Sequence, residues 1–148
     1  MLDAVRFSIF QWPLEACAAF FLLAGLLYPL TQWGTLPERV PSHFNFRGEP
    51  DRWAGRWIFG WFTVLEVFLY GMFSYQGHSL DYLLGAAQTL SAFTLLILWT
   101  KVVLTGLFAY LNWTIVRVAR AQAAKANIPV MMLFSALLVV PVILLRVK

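Results

Sequence analysis

Four apolar runs alternate with polar segments along this chain of 148 residues. They extend from about Pro13 to Leu30, Trp57 to Tyr75, Thr89 to Leu111 and Ile128 to Leu145. Each is near the roughly 20 residues that a helix needs to cross a hydrocarbon core. The pattern predicts an all-α integral membrane four-helix bundle, a single domain over residues 1–148. Pro13 suits a first helical position, where its missing N–H costs nothing. Glu15 then falls in the first turn, near the positive end of the helix dipole. Residues 1–12 are mixed, and read as an interfacial segment or an extension of the first helix. Tyr82 to Val116 carries one charge, Lys101, in 35 residues, with no Pro or Gly near its middle. It reads as one span with helical extensions. The later extension passes Arg117, Arg120 and Lys125 and ends at Asn127-Ile128-Pro129.

The polar segments are unequal. Thr31 to Arg56 holds seven charges, Glu38, Arg39, Arg47, Glu49, Asp51, Arg52 and Arg56. It also holds Pro37, Pro41, Pro50, Gly34, Gly48 and Gly55. Prolines and glycines at this density predict one long, ordered, turning loop, residues 34–56, outside the hydrocarbon. Loops of this length are usually functional or disordered. A short second loop is expected at Gly77, His78, Ser79 and Asp81.

Composition strengthens the membrane reading. The chain is 61% hydrophobic and 12% charged, with mean hydropathy +0.72. Soluble domains carry about 25% charged residues, and disorder requires low hydrophobicity. Both classes are excluded. The net charge is +4, but the basic residues flank apolar runs instead of forming one face. The partner is therefore the lipid bilayer and not nucleic acid. The first run lacks a small-residue cleavage site after it, so it is expected to stay as an anchor. Cys17 is the single cysteine, so no internal disulfide is possible. Arg39, Arg47, Arg52, Arg56, Arg117, Arg120 and Lys125 lie on one side, against Arg6, Arg146 and Lys148 on the other. That bias favours cytoplasmic loops and external termini.

Two charges, Glu66 and Lys101, fall well inside predicted spans. Each alone costs about 2.5–3.5 kcal/mol at a helix centre. They are expected to pair across the second and third helices, either fixing register or relaying protons or substrate. Thr94, Lys101, Thr105 and Asn112 share one helical face and mark the third helix as inward-facing. Trp53, Trp57 and Trp61 repeat every fourth position. They read as one helix face, forming with Trp33 an interfacial belt or a stacking wall for a ligand.

The densest local pattern is Leu36-Pro37-Glu38-Arg39-Val40-Pro41-Ser42-His43-Phe44-Asn45-Phe46-Arg47-Gly48-Glu49-Pro50-Asp51-Arg52-Trp53. Pro37 and Pro41 hold an extended entry. Gly48 permits a positive φ, and Pro50-Asp51 supports a tight turn. His43, Asn45, Glu49 and Asp51 are candidates to converge as metal or proton ligands, or to satisfy the loop's own backbone. No H-E-x-x-H or C-x-x-C spacing is present, and no metal or other cofactor is expected. His43 and His78 lie on opposite sides of the second span, roughly 30 Å apart. They are too distant to share a metal or haem within one copy.

This segment resembles a bacterial membrane family of unknown function with the pattern L-P-x-x-[IV]-P-x-H-F-N-x-x-G-x-P-D-x-[WY]. The domain forms the N-terminal part of SdpI-type toxin-immunity proteins. Leu36, Pro37, Val40, Pro41, His43, Phe44, Asn45, Gly48, Pro50, Asp51 and Trp53 carry the likeness. The resemblance implies a multi-pass protein of the bacterial inner membrane and carries over no established catalytic residues. It makes a partner-binding, regulatory or immunity-like role through the loop the leading expectation, with Pro37, Pro41, His43, Phe44, Asn45, Gly48, Asp51 and Trp53 as binding residues and a peptide or protein as partner. Two alternatives stand beside it. One is an oligomeric transporter or ion- or proton-conducting protein using Glu66 and Lys101. The other is a membrane enzyme pairing His43 with Asp51 or Glu49 as acid and base.

Overall fold

Helices form where the apolar runs lie, and they overrun those runs at most ends. A computed structural model describes the backbone of residues 2–84 and 88–146, with side chains over 11–76 and 94–139 and at Ile143. The elements are α1 (Leu2–Gln32), a 3₁₀ turn (Trp33–Thr35), β1 (Arg39–Phe44), β2 (Pro50–Gly55), α2 (Ile58–Leu84), α3 (Gln88–Ala119) and α4 (Ile128–Arg146). The all-α class holds, with one small two-stranded sheet added.

Three boundaries differ from expectation. First, residues 2–12 extend the first helix, one of the two readings expected for them, so that α1 begins at Leu2 and carries both Pro13 and Pro29 inside it. Pro13 is therefore not a first helical residue, and Glu15 lies in the helix body. An interior proline costs about 3 kcal/mol in a soluble helix, but membrane helices tolerate it because neighbouring groups re-satisfy the freed carbonyl. Second, α2 continues to Leu84, so the backbone at Gly77, His78, Ser79 and Asp81 is helical. The side chains of His78, Arg6 and Arg146, and Lys148 altogether, lie outside the described residues. Third, α3 stops at Ala119 instead of running to Asn127. Its end is closed by Gln122 N–H donating to Arg117 O at 2.8 Å and Ala121 N–H to Val118 O at 3.0 Å. Ala121 takes φ 57°. This is a Schellman closure with alanine at the position that glycine usually holds.

The helices expose large apolar side chains and bury polar ones alongside an apolar core. Glu66, Thr94, Lys101, Thr105, Asn112 and Thr114 are buried, while Phe20, Leu23, Leu27, Val64, Phe68, Met132 and Leu133 are exposed. Apolar solvent outside and hydrogen-bonding groups inside is the arrangement a bilayer selects. Among the described residues, three stretches are long and apolar enough to cross a membrane: Gln11–Thr35, Ile58–Gln76 and Thr94–Ala119. The apolar described part of α4, Ile128–Val139, is shorter.

The central helix is α3, against which α1, α2, α4 and β1 all pack. The stripe of Thr94, Lys101, Thr105 and Asn112 is buried along it, as its spacing required. Trp99 fixes α4 by donating Nε1–H to Leu137 O at 2.8 Å.

The loop between α1 and α2 folds as an antiparallel hairpin, with Arg39 opposite Gly55, Val40 opposite Ala54 and Pro41 opposite Trp53. The ladder is irregular beyond Pro41 and again at His43. Its foot is apolar. Leu36 and Val40 are buried with Phe59, Ile115 and Val116, and Tyr28, Trp33 and Phe44 pack around them. Trp53 therefore sits on a strand, not on the helical face it was expected to share with Trp57 and Trp61. The latter two are exposed at the start of α2, where an interfacial belt belongs.

Candidate functional site

The hairpin tip is built by Asn45. Its Oδ1 accepts from Arg47 N–H at 2.8 Å and from Glu49 N–H at 3.0 Å, and its Nδ2 donates to Glu49 Oε2 at 3.1 Å. Its carbonyl accepts from Gly48 N–H at 2.8 Å. Gly48 has φ +79°, the αL residue that ends a three-residue hairpin connection. The tip docks against the turn after α3, because Ala126 N–H donates to Gly48 O at 2.7 Å. The first and third loops thus share one side of the bundle. Arg120 adds a second tie between that turn and α1 through a hydrogen bond to Gln32 Oε1.

His43 and Asp51 face one another across the strands. His43 Nδ1–H donates to Asp51 Oδ1 at 2.6 Å, and both side chains are open to solvent. That hydrogen bond holds the Asp51 carboxyl below the usual aspartate value of 3.8. The four expected polar residues therefore do not converge on one point. They split into a His43–Asp51 pair and an Asn45–Glu49 pair that serves the turn. No group of three potential metal ligands occurs among the described residues.

Of the remaining loop residues, Pro41 is buried at the hairpin foot and Phe44 is half-buried. Pro37 is exposed just ahead of β1, and Trp53 is about half exposed on β2. Phe46 is the most exposed of the large hydrophobic side chains among the described residues, at 100%, beside exposed Arg47. Phe46 was not singled out from sequence, because an apolar residue in a polar loop reads as part of the fold until its burial is known.

The expected Glu66–Lys101 pair does not form. Lys101, 1% exposed, donates to Glu15 Oε2 at 2.6 Å and to Ser74 Oγ at 2.8 Å, and lies 3.9 Å from the Tyr70 ring centroid. Glu66 sits elsewhere, against Gly25, which itself packs on Ala109. Ala109 is eight residues beyond Lys101, about 12 Å along the helix axis. Sequence reasoning missed Glu15 because Pro13 placed it at a helix start. Beside the Lys101–Glu15 pair lies a cavity of about 560 Å³, lined by Gln11, Trp12, Glu15, Ala19, Tyr70, Phe73, Ser74, Thr94 and Leu98. A smaller one of about 230 Å³ lies near the turn after α3, between Tyr110, Trp113, Arg117 and Lys125.

Residues 20–65 match the family model of a domain of unknown function, DUF1648. Over 30 residues the chain is 57% identical to a protein of Archaeoglobus fulgidus that is called uncharacterized; this covers 20% of the chain and 16% of that relative. No solved structure matches. The family match runs from mid α1 through the hairpin into the first turns of α2, so the matched segment is the hairpin with the adjoining parts of the two helices that frame it.

Proposed function

We propose that this is a small, non-enzymatic multi-pass membrane protein whose 34–56 hairpin recognises a peptide or protein partner at the membrane surface. The role is regulatory or immunity-like. One observation carries the reading: a fixed hairpin presents a fully exposed phenylalanine, Phe46, beside Arg47. The Asn45 turn, the Gly48–Ala126 latch and the apolar foot hold the hairpin in place. Pre-organised surfaces bind with less ordering cost, and exposed aromatic and arginine side chains are the usual anchors. The likeness of the loop to the N-terminal domain of SdpI-type immunity proteins supports the same reading. We read the chain further as a single four-span domain of a bacterial inner membrane.

The His43–Asp51 pair has the geometry of an oriented base. Yet both residues are exposed and neither lines either cavity, which favours binding over catalysis. The test is a photo-crosslinking residue at position 46 in native membranes, with position 23 on the lipid-facing side of α1 as control. A discrete adduct at 46 and none at 23, lost together with the cellular phenotype in Phe46→Ser, is expected. A Phe46→Ser protein that inserts normally and keeps full phenotype would refute the proposal.

A second reading is transport by an oligomer. It is favoured by the cavity beside Lys101 and is tested by liposome flux with Lys101→Met.

A further inference from the structure

Once Lys101 is paired with Glu15, Glu66 is left to be explained. Its side chain is 1% exposed in the body of α2, and neither carboxyl oxygen has a hydrogen-bond partner among the described residues. A buried ionised group persists only when paired or neutralised. Its surroundings are specific. A Cβ on Gly25 would lie 3.0 Å from both carboxyl oxygens and 3.3 Å from Ala109 Cα. The carboxyl thus fills the space that the side chain of Gly25 lacks.

The carbonyl of the same glycine holds the Asn112 amide, with Nδ2 donating at 3.0 Å. That bond takes one of the two amide N–H groups and fixes the amide's orientation, while Oδ1 is buried with no partner among the described residues. Three helices therefore meet at Gly25, with the Glu66 carboxyl beside its Cα and the Asn112 amide on its carbonyl, and Glu66 Oε1, Glu66 Oε2 and Asn112 Oδ1 are acceptors without a partner among the described residues. An anion would call for donors, which these atoms are not. Acceptor oxygens alone are the chemistry that holds a hard cation.

No described cation competes for the position. On α3, Lys101 is about two turns away and engaged by Glu15 and Ser74. On α1, Tyr28 packs with the hairpin foot and Glu15 belongs to the lysine. On α2, Tyr70 lies against Lys101.

We propose that Glu66 and Asn112, brought together at Gly25, form an intramembrane site for one small monovalent cation, a proton or a sodium ion. Binding there joins α1, α2 and α3 in the middle of the bundle. The site is independent of the hairpin and of the role proposed for it.

The test uses the full chain purified into lipid nanodiscs. Infrared spectroscopy reports whether a buried carboxyl is protonated, and radiolabelled sodium reports binding. If the occupant is a proton, a protonated-carboxyl stretch is seen at neutral pH without sodium and is missing from Glu66→Gln. If it is sodium, one equivalent binds per chain, binding is lost in Glu66→Gln, and added sodium raises the thermal midpoint of the wild type but not of the variant. In either case Asn112→Leu shifts the pH or sodium midpoint by about tenfold, one pH unit. Wild-type protein with only ionised carboxylate at neutral pH and no bound sodium overturns the proposal, whatever the variants do. A midpoint unmoved by Asn112→Leu overturns the two-residue site.

Discussion

At the scale of single residues, backbone conformation decides which substitutions matter. Gly48 adopts φ +79°, and a Cβ there would run into the carbonyl oxygen of Ala126. Gly48→Ala meets both penalties. The left-handed conformation alone costs about 1–2 kcal/mol, so a lowered thermal midpoint in micelles is expected, together with weaker hydrogen-exchange protection of Ala126 N–H. Ala121 is the reverse case, an L-residue already held at φ 57°. Ala121→Gly removes that strain and should stabilise the protein by about 0.5–1 kcal/mol, after the entropy lost on fixing glycine. Asp51 supplies a pH dependence whose sign is fixed. Its carboxyl is held below 3.8 by His43, so the pairing contributes fully above that value. It is lost as pH falls below it through the lowered value. NMR of the His43 ring should follow this acid transition in the wild type and lose it in Asp51→Asn.

At the scale of elements, the legible and illegible parts separate for physical reasons. The helices and the inward stripe of α3 were readable because hydropathy and helical spacing act on many residues at once. The hairpin was not, because its strands, Arg39–Phe44 and Pro50–Gly55, contain or begin with proline and show no clean alternation. Its turn chemistry at Asn45, Gly48 and Pro50 was visible, but as an ordered loop. The partner of Lys101 was hidden by a rule imported from water, where Pro13 would mark a helix start. The corrected pair makes a sharp prediction. Glu15→Gln strands a buried ammonium and should cost about 3–5 kcal/mol, much of it recovered in the double variant with Lys101→Met. Glu66→Gln and Lys101→Met lie about two turns apart, so their effects on the thermal midpoint should add within about 0.5 kcal/mol. Strong coupling between them would contradict the described pairing.

At the scale of the whole molecule, the hairpin and the turn after α3 lie on one side of the bundle. The basic residues of these two loops favour placing that side in the cytoplasm. A cysteine in place of Phe46, in a background with Cys17 replaced, should react with a membrane-impermeant maleimide in inverted vesicles and not in intact cells. Labelling only in intact cells would reverse the orientation. The latch between Gly48 O and Ala126 N–H then acquires a mechanical meaning. It joins the turn of the hairpin to the segment from which α4 departs, while β1 rests on the end of α3. A partner that lifts the tip must break that bond or carry the start of α4 with it. The hairpin is thereby the handle of a lever whose far arm lies in the bilayer.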